Sequence, residues 1–297
     1  MSTAPVVLIG RPSSLRSAVA CQLRTATSLV SCLDSPARLA PAPSSEAPSS
    51  EAPSSAGNGL AVAAVVVVTV PRLPGLPSRL RHRFGSSGLA AGFEHAVATA
   101  RGLGATRLVV VSSAFRYDDD GGLPLRASSP ILTAPETAPA AAAERAASLF
   151  TRLGGDSVVL RLGWTYGGAE AITRRVMSAA GRGWRLIDGD PAARIAALAE
   201  PDAARAVLAA LTAAPGTYNV TDGAPATQAM LNARLAAAAS RRLHPLYDAD
   251  WGPAGALFGV SREITDAAFT EMTGWHPRAA PASEGLAGLL SQGQPGR

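Results

Sequence analysis

The amino-acid sequence predicts an α/β fold: a doubly wound parallel sheet with a smaller C-terminal lobe. Short, nearly continuous apolar segments alternate with helical segments over residues 1–168. Strands of that kind are buried on both faces, which is typical of a parallel sheet covered by helices on two sides. After Gly168 the pattern changes to shorter helices and turn-rich segments. We therefore predict a sheet domain over 1–168 and a substrate-binding or lid lobe that makes up most of 169–297.

The predicted strands are β-branched runs that end at glycine, proline or polar residues. The first covers 6–9 and leads through Gly10 into a helix; the second ends at Asp34. Between residues 41 and 58 the motif SSEAP repeats, and this composition cannot bury a core, so it predicts a disordered insert. Further strands are LAVAAVVVVTV, RLVVVSS and SVVLRLG, and an alanine-rich helix is predicted within PETAPAAAAERAASLF.

The composition excludes several classes of function. The net charge is +5 and every basic side chain is arginine, because the chain contains no lysine. The arginines are scattered without interleaved aromatics, so we expect no nucleic-acid partner. The longest apolar run stops at Pro71, far short of a bilayer span, and two cysteines without a secretory leader predict a cytoplasmic protein with no membrane partner. The histidine and cysteine spacing favours no metal site.

The turn after the first strand carries a weak nucleotide signal. Dinucleotide-binding folds use three spaced glycines there, for a tight turn and for close approach to the pyrophosphate. Here Gly10 is present, while Ser13 and Arg16 occupy the other two positions. An ordinary strand–turn–helix explains these residues about as well, but the position at the first βα turn favours a nucleotide.

The choice between NADP and NAD depends on three charged residues. Asp34 can accept hydrogen bonds from an adenosine ribose, which favours NAD. Arg11 and Arg38 suit a ribose 2′-phosphate through charge-assisted contacts, although each could equally be a solvated surface arginine. NADPH is therefore slightly preferred, and NADH stays open as the alternative.

Four segments occur in an order that indicates a known family: VVVSSAFRYD, VVLRLGWTYGG, GTYNVTDG and TGWHPR. With them the chain resembles the extended short-chain dehydrogenase/reductases, alongside the NAD-dependent epimerase/dehydratases. The resemblance implies a Rossmann-type sheet and a nicotinamide cofactor, and it places Ser113 on the catalytic serine. Counting back from Glu144 puts Glu136 and Ala140 where the family has its catalytic tyrosine and lysine, so the chain is an atypical member.

The resemblance also guides the remaining cofactor assignments. Leu162 stands where the family has a proline beside the nicotinamide. We expect cofactor contacts from Thr69, Val70, Ser112, Leu162, Gly163 and Trp164, in addition to Gly10, Arg11, Ser13, Arg16, Asp34 and Arg38.

As a whole the chain is most similar to atypical members that reduce a ketone of a polycyclic aromatic polyketide. Without the tyrosine and lysine, such a reaction would rely on positioning, on a hydrogen bond from Ser113 and on a phenol of the substrate itself. The alternative is a catalytically inactive dinucleotide-binding redox sensor, and either could be a monomer or a homodimer. The predicted substrate pocket, whose residues could instead be plain core, comprises Ser113, Phe115, Tyr166, Trp184, Trp251 and Phe258.

Overall fold

The computed structural model describes residues 5–10, 13–26, 30–33, 64–68, 92–119, 121–132, 137–187, 189–246 and 258–292 of the 297-residue chain. The described strands are β1 (Val6–Ile9), β2 (Val30–Leu33), β3 (Ala64–Val68), β4 (Arg107–Ser113), β5 (Asp156–Leu162), β6 (Trp164–Tyr166), β7 (Trp184–Arg185), β8 (Arg194–Ile195), β9 (Ala197–Ala199), β10 (Gly216–Val220), β11 (Ala226–Thr227) and β12 (His244–Pro245). The described helices are α1 (Ser14–Ala26), α2 (92–102), α3 (Ala138–Arg152), α4 (Ala171–Gly181), α5 (Glu200–Ala210), α6 (Gln228–Ala239), α7 (Ala267–Thr273) and α8 (Ala282–Gln292).

A six-stranded parallel sheet forms the centre of the described chain, in the order β2–β1–β3–β4–β5–β10. The strand order reverses between β1 and β3. Doubly wound sheets bind ligands in the crevice that such a reversal opens at the carboxyl ends of the strands. The predicted Rossmann-type α/β fold is confirmed.

Helices cover both faces of the sheet because its strands are apolar on both faces. Leu8 packs with α1 and α5 in one buried cluster, while Val7 and Ile9 pack with α2 and α3 in another. The alanines of α3 let that helix lie close to β4 and β5, since Ala143 and Ala147 are almost fully buried. The helix begins at Ala138; the predicted insert and residues 133–136 lie outside the described chain.

A second core forms beside the sheet, built on β6, β9, α4, α6 and α8. The chain nevertheless returns to the sheet after residue 168, because β10 pairs in parallel with β5. The predicted domain boundary stays a prediction. In the described residues no helix combines the length and apolar character that crossing a membrane requires.

Gly163 is the point where the chain leaves the sheet for this second core. It joins β5 to β6, which pairs with β9. A Cβ at Gly163 would lie 2.9 Å from the carbonyl oxygen of Ala196, so a glycine is required for this close approach. The turn places Trp164 directly beyond the carboxyl end of β5.

Candidate functional site

A small cavity, partly open to solvent, lies at the carboxyl ends of β4 and β5, next to the first turn of α1. Parallel strands end at one edge of the sheet, which is why residues distant in sequence meet here. The predicted site residues on its wall are Ser112, Ser113, Phe115, Leu162, Gly163 and Trp164, joined by Leu15 and Glu170. The cavity is the candidate site.

Ser113 has a structural role and also keeps a hydrogen-bond donor. It is 7% exposed, and its Oγ accepts a hydrogen bond of 3.2 Å from the backbone N–H of Phe115, which caps a 3₁₀ turn over Ala114–Arg116. A hydroxyl can accept and donate at once. Within the described residues its O–H has no acceptor, so Ser113 can still donate to a ligand.

Ala140, which the sequence resemblance places at a catalytic lysine position, cannot supply acid/base chemistry. Ala140 lies in the first turn of α3, is 5% exposed and presents only a methyl group. Glu136 lies outside the described residues.

A network of ionised and polar side chains lies beneath the cavity, between β4, β5 and α3. We call it the Glu144 network, and it consists of Ser112, Arg116, Tyr117, Glu144, Arg161 and Asn219. Arg161 donates to both carboxylate oxygens of Glu144, at 3.0 and 2.9 Å, and Ser112 donates to Glu144 at 2.6 Å. Arg116 forms a further ion pair with the same carboxylate. Burial raises the pKa of Glu144, but the hydrogen bonds and charges of its partners outweigh this and hold that pKa below its ordinary value.

Tyr117 belongs to the same network and is fully buried. Its hydroxyl accepts a hydrogen bond of 2.9 Å from Arg161 and donates one of 2.5 Å to Asn219. Burial raises the pKa of Tyr117 in spite of the arginine. Tyr117 therefore has a structural role in the Glu144 network.

The first turn of α1 is where a dinucleotide fold binds phosphate. Ser13 Oγ accepts a hydrogen bond of 3.1 Å from the backbone N–H of Arg16 and caps the helix. The Ser14 hydroxyl donates to the carboxylate of Glu200, which is 7% exposed. Burial raises the pKa of Glu200, the Ser14 hydrogen bond lowers it, and the charge of Glu170 raises it again; the net direction is upward.

These residues fit a nicotinamide dinucleotide in part. The helix N-terminus favours an anionic diphosphate, and the cavity extends from Leu15 to Ser113 along the ends of β4 and β5. When ionised, the Glu200 carboxylate opposes a diphosphate at the same helix end. No local sequence pattern indicates this contact, because Ser14 and Glu200 are 186 residues apart.

Of the predicted substrate residues in the described chain, Ser113 and Phe115 lie on the wall of the candidate site, whereas Tyr166, Trp184 and Phe258 do not. Phe115 and Trp164 each pack edge-to-face on Phe258, with ring centroids 5.3 and 5.1 Å apart. Tyr166 donates its hydroxyl to the carbonyl oxygen of Ala280 at 2.7 Å. Trp184, 40% exposed, packs against His244 and lies outside the wall of the candidate site. The predicted residues that lie outside the described chain are Arg11, Asp34, Arg38, Thr69, Val70, Glu136 and Trp251.

The search for a metal site covered the described residues, and within them no three histidine, cysteine or acidic side chains are grouped so that they could hold an ion.

Comparison with known proteins supports the fold from structure alone. No family model matches the chain, and no curated protein matches it in sequence. Among solved structures, MoeE5 in complex with UDP-glucose and NAD superposes with a TM-score of 0.74 at 19% identity over 97% of both chains. The human epimerase family protein SDR39U1 with NADPH gives 0.74 at 16% identity, over 98% of this chain and 100% of that one.

A third similar structure is RMD from Pseudomonas aeruginosa complexed with NADPH, with a TM-score of 0.66 at 18% identity over 98% of this chain and 100% of that one. At identities this low the likeness establishes the fold. One of these three structures contains NAD and the other two contain NADPH, so the comparison does not decide between the two dinucleotides.

Proposed function

We propose that this chain is an atypical extended short-chain dehydrogenase/reductase and that it reduces a ketone of a polycyclic aromatic polyketide with NADPH. The proposal is guided by a resemblance of the whole chain to the angucyclinone ketoreductase of the simocyclinone pathway. The observation that carries the proposal is the cavity that runs from the first turn of α1 to Ser113 and the aromatic side chains beyond β5. Fold likeness to proteins solved with NAD or NADPH supports a nicotinamide cofactor.

When bound, the reduced nicotinamide supplies a hydride to the substrate carbon. The protein's own contribution is binding and orientation. Loss of a general acid costs on the order of 10²–10⁴ in rate, whereas good positioning supplies effective molarities of roughly 10⁵–10⁸ M in the best intramolecular cases. Ser113 donates a hydrogen bond to the carbonyl oxygen. A phenol next to the ketone stabilises the resulting alkoxide from within the substrate.

The test is the near-ultraviolet absorbance of NADPH in the presence of purified protein and a panel of quinones and aryl ketones. We expect NADPH to be consumed with aryl ketones that carry a neighbouring phenol, and more slowly with their O-methyl ethers. NADH run in parallel tests the cofactor preference. If no member of the panel is turned over, the ketoreductase proposal is wrong.

A redox sensor is the second candidate, and one observation favours it. Ala140 presents a buried methyl group where the related enzymes have a lysine, and no lysine occurs elsewhere in the chain to replace it. A sensor would bind NADPH or NADP⁺ without consuming it. Dinucleotide binding in calorimetry, combined with no turnover on the panel, would select the sensor.

A further inference from the structure

We propose that the indole N–H of Trp164 donates a hydrogen bond to the carbonyl oxygen of a bound aromatic ketone, in the role that a tyrosine hydroxyl has in the related enzymes. This inference rests on the proposed function. Trp164 is 2% exposed, and in the described residues its Nε1 has no hydrogen-bond partner. A buried donor without an acceptor is destabilising. Such a group calls for a ligand or an ordered water.

Trp164 stands in a wall between two cavities. The candidate site lies on one side of it, and a second small cavity lies on the other side, against Ile195 and Ala196. Phe115, Gly163 and Trp164 line both. The backbone N–H of Trp164 is fixed by a 2.9 Å bond to the Ala196 carbonyl oxygen. A ligand bound in either cavity would therefore contact Trp164.

The surroundings favour a planar aromatic ligand with an acceptor oxygen. Phe115 lines both cavities with Trp164, and aromatic faces and edges recognise flat rings. Phe258 packs on both rings from behind and fixes them. The indole nitrogen can donate but cannot accept. It therefore selects a carbonyl or alkoxide oxygen over a donor group. Ser113, on the wall of the same candidate site, offers a second donor.

A second buried tryptophan provides the contrast. Trp275 is 6% exposed, and its Nε1 also has no partner in the described chain. It packs against Phe269 at a centroid distance of 5.7 Å in the core of the sheet. Trp275 lines neither of the two cavities. It is the matched control for a buried indole that meets no ligand.

In the reaction, Trp164 stabilises charge without releasing its proton. The carbonyl carbon receives a hydride from the reduced dinucleotide, which is thereby oxidised, and the C=O π pair moves onto oxygen. That oxygen then takes a proton from the neighbouring phenol or from water. The indole hydrogen bond strengthens as the negative charge develops, which is the property of an oxyanion donor.

The direct test is nuclear magnetic resonance of the indole N–H groups of ¹⁵N-labelled full-length protein, without dinucleotide. The four tryptophans give four signals. Trp164→Phe assigns its own signal; if that variant does not fold, Trp184→Phe, Trp251→Phe and Trp275→Phe assign it by elimination. The probes are 8-hydroxy-1-tetralone and 5,6,7,8-tetrahydro-1-naphthol, which has the same rings and phenol but no ketone.

We expect the tetralone to shift the Trp164 signal downfield, the tetrahydronaphthol not to do so, and the Trp275 signal to stay in place with both. Trp164→Phe should weaken tetralone binding by about fivefold to tenfold, the value of one hydrogen bond. Turnover of a substrate ketone should fall by at least about tenfold.

Two contrary outcomes are distinguishable. If the tetralone shifts backbone signals of the cavity wall but leaves the Trp164 indole unmoved, or binds Trp164→Phe equally well, the hydrogen bond is refuted and the ketoreductase proposal stands. If neither compound shifts any signal up to its solubility limit, the cavity does not bind aromatic ketones and both proposals are overturned.

Discussion

Two sets of polar groups lie at the carboxyl ends of β4 and β5, and they differ in how far their hydrogen bonds and charges are satisfied within the described chain. In the Glu144 network, the carboxylate of Glu144 is held by Arg116, Arg161 and Ser112, so its charge is paired. In the cavity above it, Ser113 and Trp164 retain donors without acceptors in the described chain. The network stabilises the ends of the strands, and the cavity is where we propose that a ligand completes the hydrogen bonding.

Breaking the network should have the largest effect. In Glu144→Gln, the side chains of Arg116 and Arg161 stay buried without a countercharge, and we expect a loss of about 3–5 kcal/mol in the free energy of unfolding. Denaturant unfolding measures it. Glu271→Gln, at an exposed position of α7, should stay within about 0.5 kcal/mol of the unsubstituted protein. Equal stabilities for the two variants would contradict a stabilising network.

The same network predicts how stability depends on pH. The pKa of Glu144 is lower in the folded protein than in the unfolded chain. Its contribution is therefore fully present above the unfolded pKa and is lost as pH falls through the folded pKa. The acid-induced loss of stability should be smaller in Glu144→Gln, because that variant has already lost the carboxylate.

Gly163→Ala tests the close backbone approach that forms the wall of the cavity. The added methyl group would lie 2.9 Å from the Ala196 carbonyl oxygen, so the junction between β5 and β6 must shift. We expect a loss of about 1–3 kcal/mol in stability, together with weaker binding of aromatic ketones. Gly288→Ala, in α8 with open space around it, should instead be neutral or stabilising by up to about 1 kcal/mol. Thermal unfolding of both variants checks this, and equal behaviour would refute the close approach.

Glu200→Gln tests the dinucleotide end of the cavity. Removal of the carboxylate that contacts Ser14 in the first turn of α1 should strengthen NADPH binding by up to about tenfold. One repulsive charge, partly screened by solvent, is worth about 1 kcal/mol. In the unsubstituted protein, binding should tighten as pH falls towards the raised pKa of Glu200, and the variant should lose this dependence. Calorimetry at several pH values measures both effects. A variant that binds NADPH more weakly would show that phosphate does not meet this helix end.

Ser113→Ala should have the smallest effect on the reaction. If the substrate phenol stabilises the alkoxide, kcat should fall by less than about tenfold, against the 10²–10⁴ expected for a general acid. The lost cap of the 3₁₀ turn should cost about 0.5–2 kcal/mol in unfolding free energy. Steady-state kinetics beside denaturant unfolding separates the two, and a fall in kcat near 10⁴ would identify Ser113 as the proton donor.

The fold was predictable because its strands are local apolar runs and its helices follow at regular intervals. The position of Ser113 and of residues 162–164 beside the cavity was predictable, because these residues belong to short motifs at the ends of the neighbouring strands β4 and β5. Both inferences use information carried by consecutive residues.

The long-range contacts were not predictable in this way. Glu200 contacts Ser14, 186 residues away in the sequence. From sequence alone, an acidic residue at the start of a helix is usually expected to be solvent-exposed. Arg161 could have indicated the Glu144 network from the sequence, because a guanidinium inside an apolar strand needs a buried carboxylate. The unpaired indole of Trp164 follows only from the three-dimensional packing around Gly163.

The central claim is that this chain binds a reduced nicotinamide dinucleotide beside a ketone without the usual tyrosine and lysine. Calorimetric titration of the full-length protein with NADPH and with NADH tests it most directly. We expect saturable binding of both dinucleotides, with tighter binding of NADPH than of NADH. The absence of binding heat with both dinucleotides at several temperatures would contradict it.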